Sequence, residues 1–204
     1  TTLTSGIAFH YAGTDHGAGL FGYDVRYRRA AFNGPFGAYA YPSGWQGTAA
    51  TTEVGGATAG YTYCFSARAH DAVTNVSAWT ADTCTVTPLD DRALAASTGW
   101  TRGPSSAYFA STVTSTKAKG RTLTRSSVQT RRISLLATTC KGCGEIGVYW
   151  NNVLVRTLNL NASTTTYKHL LVVTDFGTVR SGTLMLKTLN TGRSYVDGIA
   201  LSRV

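Results

Sequence analysis

The sequence predicts an all-β protein built as two tandem β-sandwiches, residues 1–90 and 91–204, and three observations carry that expectation. Thr, Ser, Gly, aromatic and β-branched residues dominate, and no stretch of helical length repeats apolar residues at i, i+3, i+4 and i+7. Short runs instead alternate apolar and polar residues with period two, between clusters of turn formers. Charge is also divided unevenly, which marks two units. The 204 residues suffice for two modules of about 100 residues, each with its own core.

In the first half, Tyr23, Val25 and Tyr27 alternate with Asp24, Arg26 and Arg28, and Tyr63, Phe65, Ala67 and Ala69 alternate with Cys64, Ser66, Arg68 and His70. Each run reads as a half-buried strand. Asp15-His16-Gly17-Ala18-Gly19 before the first and Asp71-Ala72-Val73-Thr74-Asn75 after the second are rich in turn formers. Cys64 points away from the aromatic stripe and can meet Cys84 on the next strand, closing a loop worth roughly 3 kcal/mol in chain entropy. The boundary falls where Thr85-Val86-Thr87-Pro88 ends a β run and Leu89 leads into Asp90-Asp91-Arg92.

In the second half, Ile133, Leu135 and Ala137 alternate with Ser134 and Thr138, and Ile146, Val148 and Trp150 alternate with Gly147 and Tyr149. Asn151-Asn152 then separates Val148-Tyr149-Trp150 from Val153-Leu154-Val155, and two asparagines tolerate the positive φ of a two-residue hairpin turn. Further runs at 167–174, 182–189 and 195–204 bring the count to seven or eight strands in roughly 110 residues, which suits a jelly roll.

Two stretches carry resemblances. Tyr63 to Trp79 resembles the F strand and F–G loop of bacterial fibronectin type III domains, and Gly13 to Arg28 is similar to their B–C region. The resemblance implies a β-sandwich with Tyr63 as the tyrosine-corner residue. The chain departs from that family in a short or missing first strand and a longer insert at 30–45. Ser194-Tyr195-Val196-Asp197-Gly198-Ile199-Ala200-Leu201 resembles the last strand of carbohydrate-binding jelly rolls, and implies a module of that kind.

The four cysteines permit three pairings. Local pairing, Cys64 with Cys84 and Cys140 with Cys143, is the simplest and implies an oxidising, extracellular setting. Cys140-Lys141-Gly142-Cys143 also has the spacing of a redox pair or half a zinc site, but neither a βαβ pattern nor a second ligand pair accompanies it. The chain starts Thr1-Thr2-Leu3, shows no export signal and has no run of about 18 apolar residues. The expectation is a secreted, soluble segment of a longer bacterial protein.

Net charge is +9. Through residue 88, four arginines meet five acids; from residue 89, fifteen Lys and Arg meet five acids. The basic half implies an anionic partner, a polysaccharide or cell-wall polymer such as teichoic acid, bound by Lys117, Lys119, Arg121, Arg125, Arg131 and Arg132. The charge permits nucleic acid as well, and a merely solvated surface is the alternative. The 30–45 insert holds Phe32, Phe36, Tyr39, Tyr41 and Trp45 among glycines and prolines; exposed, Tyr41 and Trp45 would stack on sugar rings, and folded back they would cap the core.

Catalysis is not expected. No Gly-x-Ser-x-Gly elbow occurs, His16 and His70 fall at a turn and on an outward strand position, and nothing points to a carboxylate pair about 5–9 Å apart. No cofactor is implied beyond a structural calcium to which Asp15, Asp71 or Asp197 can contribute, although turn aspartates usually bond to their own backbone. The function expected is a non-catalytic binding or spacer segment; a small secreted hydrolase and a purely structural adhesin module are the alternatives.

Overall fold

The computed structural model describes residues 1–204, apart from the side chain of Val54. The chain is all-β, with fourteen strands and three single-turn 3₁₀ segments. Strands β1 (Gly6–His10), β2 (Leu20–Ala31), β3 (Thr52–Gly56), β4 (Tyr61–Asp71) and β5 (Thr83–Val86) pair only among themselves, as β1–β3 and as β2–β4–β5, all antiparallel. The apolar faces of the two sheets meet in one cluster of Ile7, Phe9, Val25, Tyr63, Phe65 and Ala67. The Tyr63 hydroxyl accepts the Thr58 N–H at 2.8 Å, which satisfies a turn amide from inside the core. Before β1 the backbone bonds are the Thr2 N–H on the Val86 carbonyl and the Ala57 N–H on the Ser5 carbonyl, so no longer first strand forms.

β4 departs from the half-buried pattern: Thr62, Cys64 and Ser66 are as buried as Tyr63, Phe65 and Ala67. Several segments cover that face: Thr62 bonds the Leu201 carbonyl and the Arg203 N–H, Cys64 is bridged to Cys84, and the insert lies beside β2. Ala40 exchanges backbone bonds with Tyr27, and Thr48 with Tyr23, so residues 36–48 return along the free edge of β2 and fold over the sheet. On the other side Thr80 bonds Ala67 and Ser66.

At Pro88 the pairing partner changes. β6 (Leu89–Asp90), β7 (Ala95–Ala96), β8 (Thr101–Pro104), β9 (Thr112–Thr116), β10 (Thr122–Thr139), β11 (Glu145–Trp150), β12 (Val153–Asn159), β13 (Thr166–Thr188) and β14 (Ser194–Ser202) form one sheet ordered β12-β11-β13-β10-β14-β9-β8, with β6 on β14 and β7 on β10. Asn151 and Asn152 take φ of 48° and 66° between β11 and β12, the two-residue turn the sequence predicts. The runs 167–174 and 182–189, expected as two strands, are one: β13 follows β10 along its whole length through register shifts at Arg125/Val128 and Thr130/Arg132. Those bulges bend both strands, so their two halves enter different parts of the sheet and feed a single core of Leu123, Ile133, Leu135, Ile146, Leu184 and Ile199.

The two halves touch. Phe32 packs on the second core with the Arg125 guanidinium 4.4 Å from its ring centre, the Gln129 N–H donates to the Phe32 carbonyl at 2.7 Å, and Arg203 donates to the Gly34 carbonyl at 2.6 Å. Both local disulfides are formed, Cys64–Cys84 across the β4–β5 pair and Cys140–Cys143 across the turn after β10.

Candidate functional site

The second sheet ends in a cluster of loops that carries aromatic rings and cations together. Two bulges place them. Between Ala137↔His169 and Thr139↔Thr166 the single residue Thr138 faces both Tyr167 and Lys168, with Lys168 at φ 51°, and this extra residue turns the Tyr167 ring outward. Between Leu136↔Gly198 and Ala137↔Val196, Asp197 is the extra residue of β14 and lies fully buried. Its Oδ1 accepts the Phe109 N–H at 2.8 Å, which fixes residues 105–111 and hence Tyr108.

Tyr167, 51% exposed, stands edge-on to Tyr108 at 5.4 Å, and Tyr195 lies 6.4 Å from Tyr108. Beside Tyr195 opens a cavity of about 330 Å³ lined by Lys117, Cys140, Lys141, Gly142, Thr191 and Arg193. Arg193 donates from Nη1 to the Tyr195 hydroxyl at 2.7 Å. Among the described residues none of these three cations is in an ion pair, and no acid lines the cavity. The Cys140–Cys143 clip presents Lys141, while Gly142 donates to Asn161 Oδ1 and accepts from the Arg193 N–H. The loops 140–144 and 189–193 cross where Gly144 meets Gly192; a Cβ on Gly192 would lie 2.5 Å from Gly144 Cα. Such a site offers ring faces to C–H groups and unpaired donors to anionic oxygens.

Of the cations singled out in the sequence, the structure brings only Lys117 here. Lys119 is exposed in the turn before β10. Arg121 lies against Gly99, Arg125 sits on Phe32 and donates to the Ala93 carbonyl, and Arg131 and Arg132 share one carboxylate, Asp175, at 3.1 and 2.7 Å. Those two arginines hold the Asp175 carboxyl well below the usual range. Trp45 packs on the first core, 5.7 Å from Tyr27 and 6.4 Å from Phe65, so its ring caps the sandwich, whereas Tyr41 stays 52% exposed. Sequence reasoning missed Tyr108 and Arg193, places Tyr167 and Tyr195 only within strands, and takes Lys141 only as part of the cysteine clip. The available signals were Lys141 inside the cysteine clip and the Asn190-Thr191-Gly192-Arg193 turn ahead of Tyr195.

Asp15 accepts the Gly19 N–H and Asp71 those of Val73 and Asn75, so both bond their own turns. No group of three or more His, Cys, Asp or Glu among the described residues is placed to hold a metal. His70 lies 2.8 Å from Asp24, a carboxylate that also receives Arg68 and the Gly47 N–H, and these bonds pull the Asp24 carboxyl down against its burial. No helix is long and apolar enough to cross a membrane.

No protein-family profile matches the chain, and no curated protein sequence is similar to it. Among solved structures, a family 6 carbohydrate-binding module is similar at 14% identity and TM-score 0.41, over 58% of this chain and 94% of that one. Carbohydrate-binding modules of the β-sandwich superfamily are similar at 11% identity and TM-score 0.38, over 95% and 90%. An exo-β-1,3-galactanase from Phanerochaete chrysosporium is similar at 11% identity and TM-score 0.43; the match takes in 82% of this chain and spans about half of the galactanase chain, 48%.

Proposed function

We propose that the chain is a non-catalytic segment of a larger extracellular protein, and that it binds an anionic glycan or cell-wall polymer at the loop end of its second unit. The observation that carries this reading is the continuity of the Tyr167–Tyr108–Tyr195 rings with a cavity whose three cations, Lys117, Lys141 and Arg193, have no counter-ion. A pyranose stacks on the exposed Tyr167, and its carboxylate, sulfate or phosphate takes hydrogen bonds from the cavity cations. The contact is charge-assisted, so retention on acidic polysaccharide or purified cell wall falls as salt rises. Lys141→Gln/Arg193→Gln weakens retention at low salt by about tenfold, and Tyr167→Ala weakens it at any salt. Arg131→Ala/Arg132→Ala, which removes cations already satisfied by Asp175, leaves it unchanged. Equal retention of all these variants would place binding elsewhere.

The same reading treats residues 1–88 as a fibronectin type III-like sandwich and 89–204 as a jelly-roll-like one, the junction lying at Pro88 rather than after residue 90 because Leu89–Asp90 pairs with β14. The support is the absence of shared strand pairing across that proline among the described residues. Residues 86–89 and Asp91 are buried and β6 is paired with β14, so the joint is tested by expressing residues 1–88 and 89–204 separately, and each is expected to unfold cooperatively on its own. Halves that fold only together would mean that the contacts between them make one cooperative unit.

A further inference from the structure

The outer face of β2–β4–β5 bears a ladder of alternating rings and guanidinium groups. Arg28 lies over Phe36 and Tyr39 at 4.8 and 5.0 Å, Arg26 over Tyr39 and Trp79 at 3.9 and 4.1 Å, and Arg68 over Trp79 at 4.7 Å. The outer two arginines are neutralised, Arg28 by Asp82 at 2.5 Å and Arg68 by Asp24 at 2.8 Å. Arg26, at the centre, meets no carboxylate among the described residues. Rings cover both faces of its guanidinium, its Nε is buried without an acceptor, and Nη1 reaches only the Tyr41 hydroxyl at a long 3.4 Å. A cation stripped of water on both faces and left without a counter-ion favours an anion at its open edge. Tyr41 adjoins that edge, half exposed and edge-on to Trp79 at 6.0 Å.

The geometry points to a second ligand site here, one that takes a carboxylate-bearing sugar, with Arg26 anchoring the carboxylate and the Tyr41 ring carrying the pyranose. A planar carboxylate matches the guanidinium edge bidentately. An exposed ring beside that edge suits a flat sugar better than the flexible side chain of an acidic peptide. The assignment is independent of the loop-end cavity and gives the chain one acidic-glycan contact in each half.

The test is calorimetric titration of trigalacturonate into the full chain carrying Lys141→Gln/Arg193→Gln, so that the cavity cations are gone and residual binding reads the ladder. In that background Arg26→Gln weakens binding about tenfold, and Tyr41→Ala weakens it several-fold. Near-ultraviolet circular dichroism checks whether Arg26→Gln keeps the Trp79 stack. If it does not, Tyr41→Ala decides, because its ring lies outside the guanidinium stack, and unchanged affinity in that variant overturns the site. No residual binding in the cavity variant also overturns it. Oligoglutamate binding as tightly as trigalacturonate would move the site to acidic peptides and equally overturn the sugar assignment. Failure of the cavity reading shows separately, as a parent affinity that Lys141→Gln/Arg193→Gln does not change.

Discussion

Gly192→Ala is expected to destabilise the chain by about 3 kcal/mol and to weaken glycan retention at low salt by up to about tenfold, as loss of the cavity cations does, whereas Gly44→Ala is expected to do neither. A Cβ at 192 would lie 2.5 Å from Gly144 Cα, 2.8 Å from its nitrogen and 3.0 Å from the Cys143 carbonyl carbon. All three are main-chain atoms, so no side chain can rotate away and the loops 140–144 and 189–193 must separate. Separation breaks the Gly144 N–H bond to the Arg193 carbonyl at 2.9 Å and the Arg193 N–H bond to the Gly142 carbonyl at 3.3 Å. Overpacking of this kind costs about 1–3 kcal/mol or somewhat more, and here it also moves Lys141 away from Arg193. At Gly44 a Cβ would meet nothing within 4 Å, which makes it the control. Urea denaturation of both variants, with retention on acidic polysaccharide, checks the claim. A Gly192→Ala midpoint equal to that of Gly44→Ala would show that the loops yield freely.

That crossing is a feature no period or propensity reveals, and it marks the line between what was legible and what was not. Local features were legible: the Asn151-Asn152 turn because positive φ has few tenants, the two disulfides because partners lie close in sequence, and β2, β4 and β11 as strands because their apolar residues recur with period two, although β4 is buried on both faces. The break inside β13 was misread because Asp175, Gly177 and Ser181 look like turn formers. Gly177, at φ 75°, instead helps the strand bend while β10 bulges beside it. The cations were misjudged for a related reason. Neighbours in a strand need not share a face or a fate, so a basic run such as Arg125 to Arg132 disperses onto Phe32 and Asp175. Conversely, Tyr108, Tyr167 and Tyr195 come from three separate segments and meet only through the register of β10 with β13 and β14.

The same register throws Asp197 inward, and the consequence is a stability that falls as pH rises from about 4 to about 7. Burial, with Asp91 and Asp90 adding repulsion, pushes the Asp197 carboxyl up to about 7; the Phe109 N–H and Lys168 only partly oppose them. Its Oδ2 is buried with no partner. In the unfolded chain this group ionises near 4. Below that pH both states hold the proton, and its effect on folding is nil. Between about 4 and 7 the folded chain keeps a proton that the unfolded chain has released, so each pH unit favours unfolding by about 1.4 kcal/mol. Above about 7 the penalty levels off near 4 kcal/mol, an order-of-magnitude figure. Asp197→Asn keeps the acceptor for Phe109 and removes the titration. The variant should match the parent at pH 4 and exceed it by a few kcal/mol at pH 8, read from urea midpoints across that range. Because the acceptor survives, the 105–111 loop and Tyr108 stay in place, so glycan retention at pH 8 should hold or improve. Parent and variant curves that run parallel from pH 4 to 8 would mean that Asp197 is ionised in the folded chain throughout.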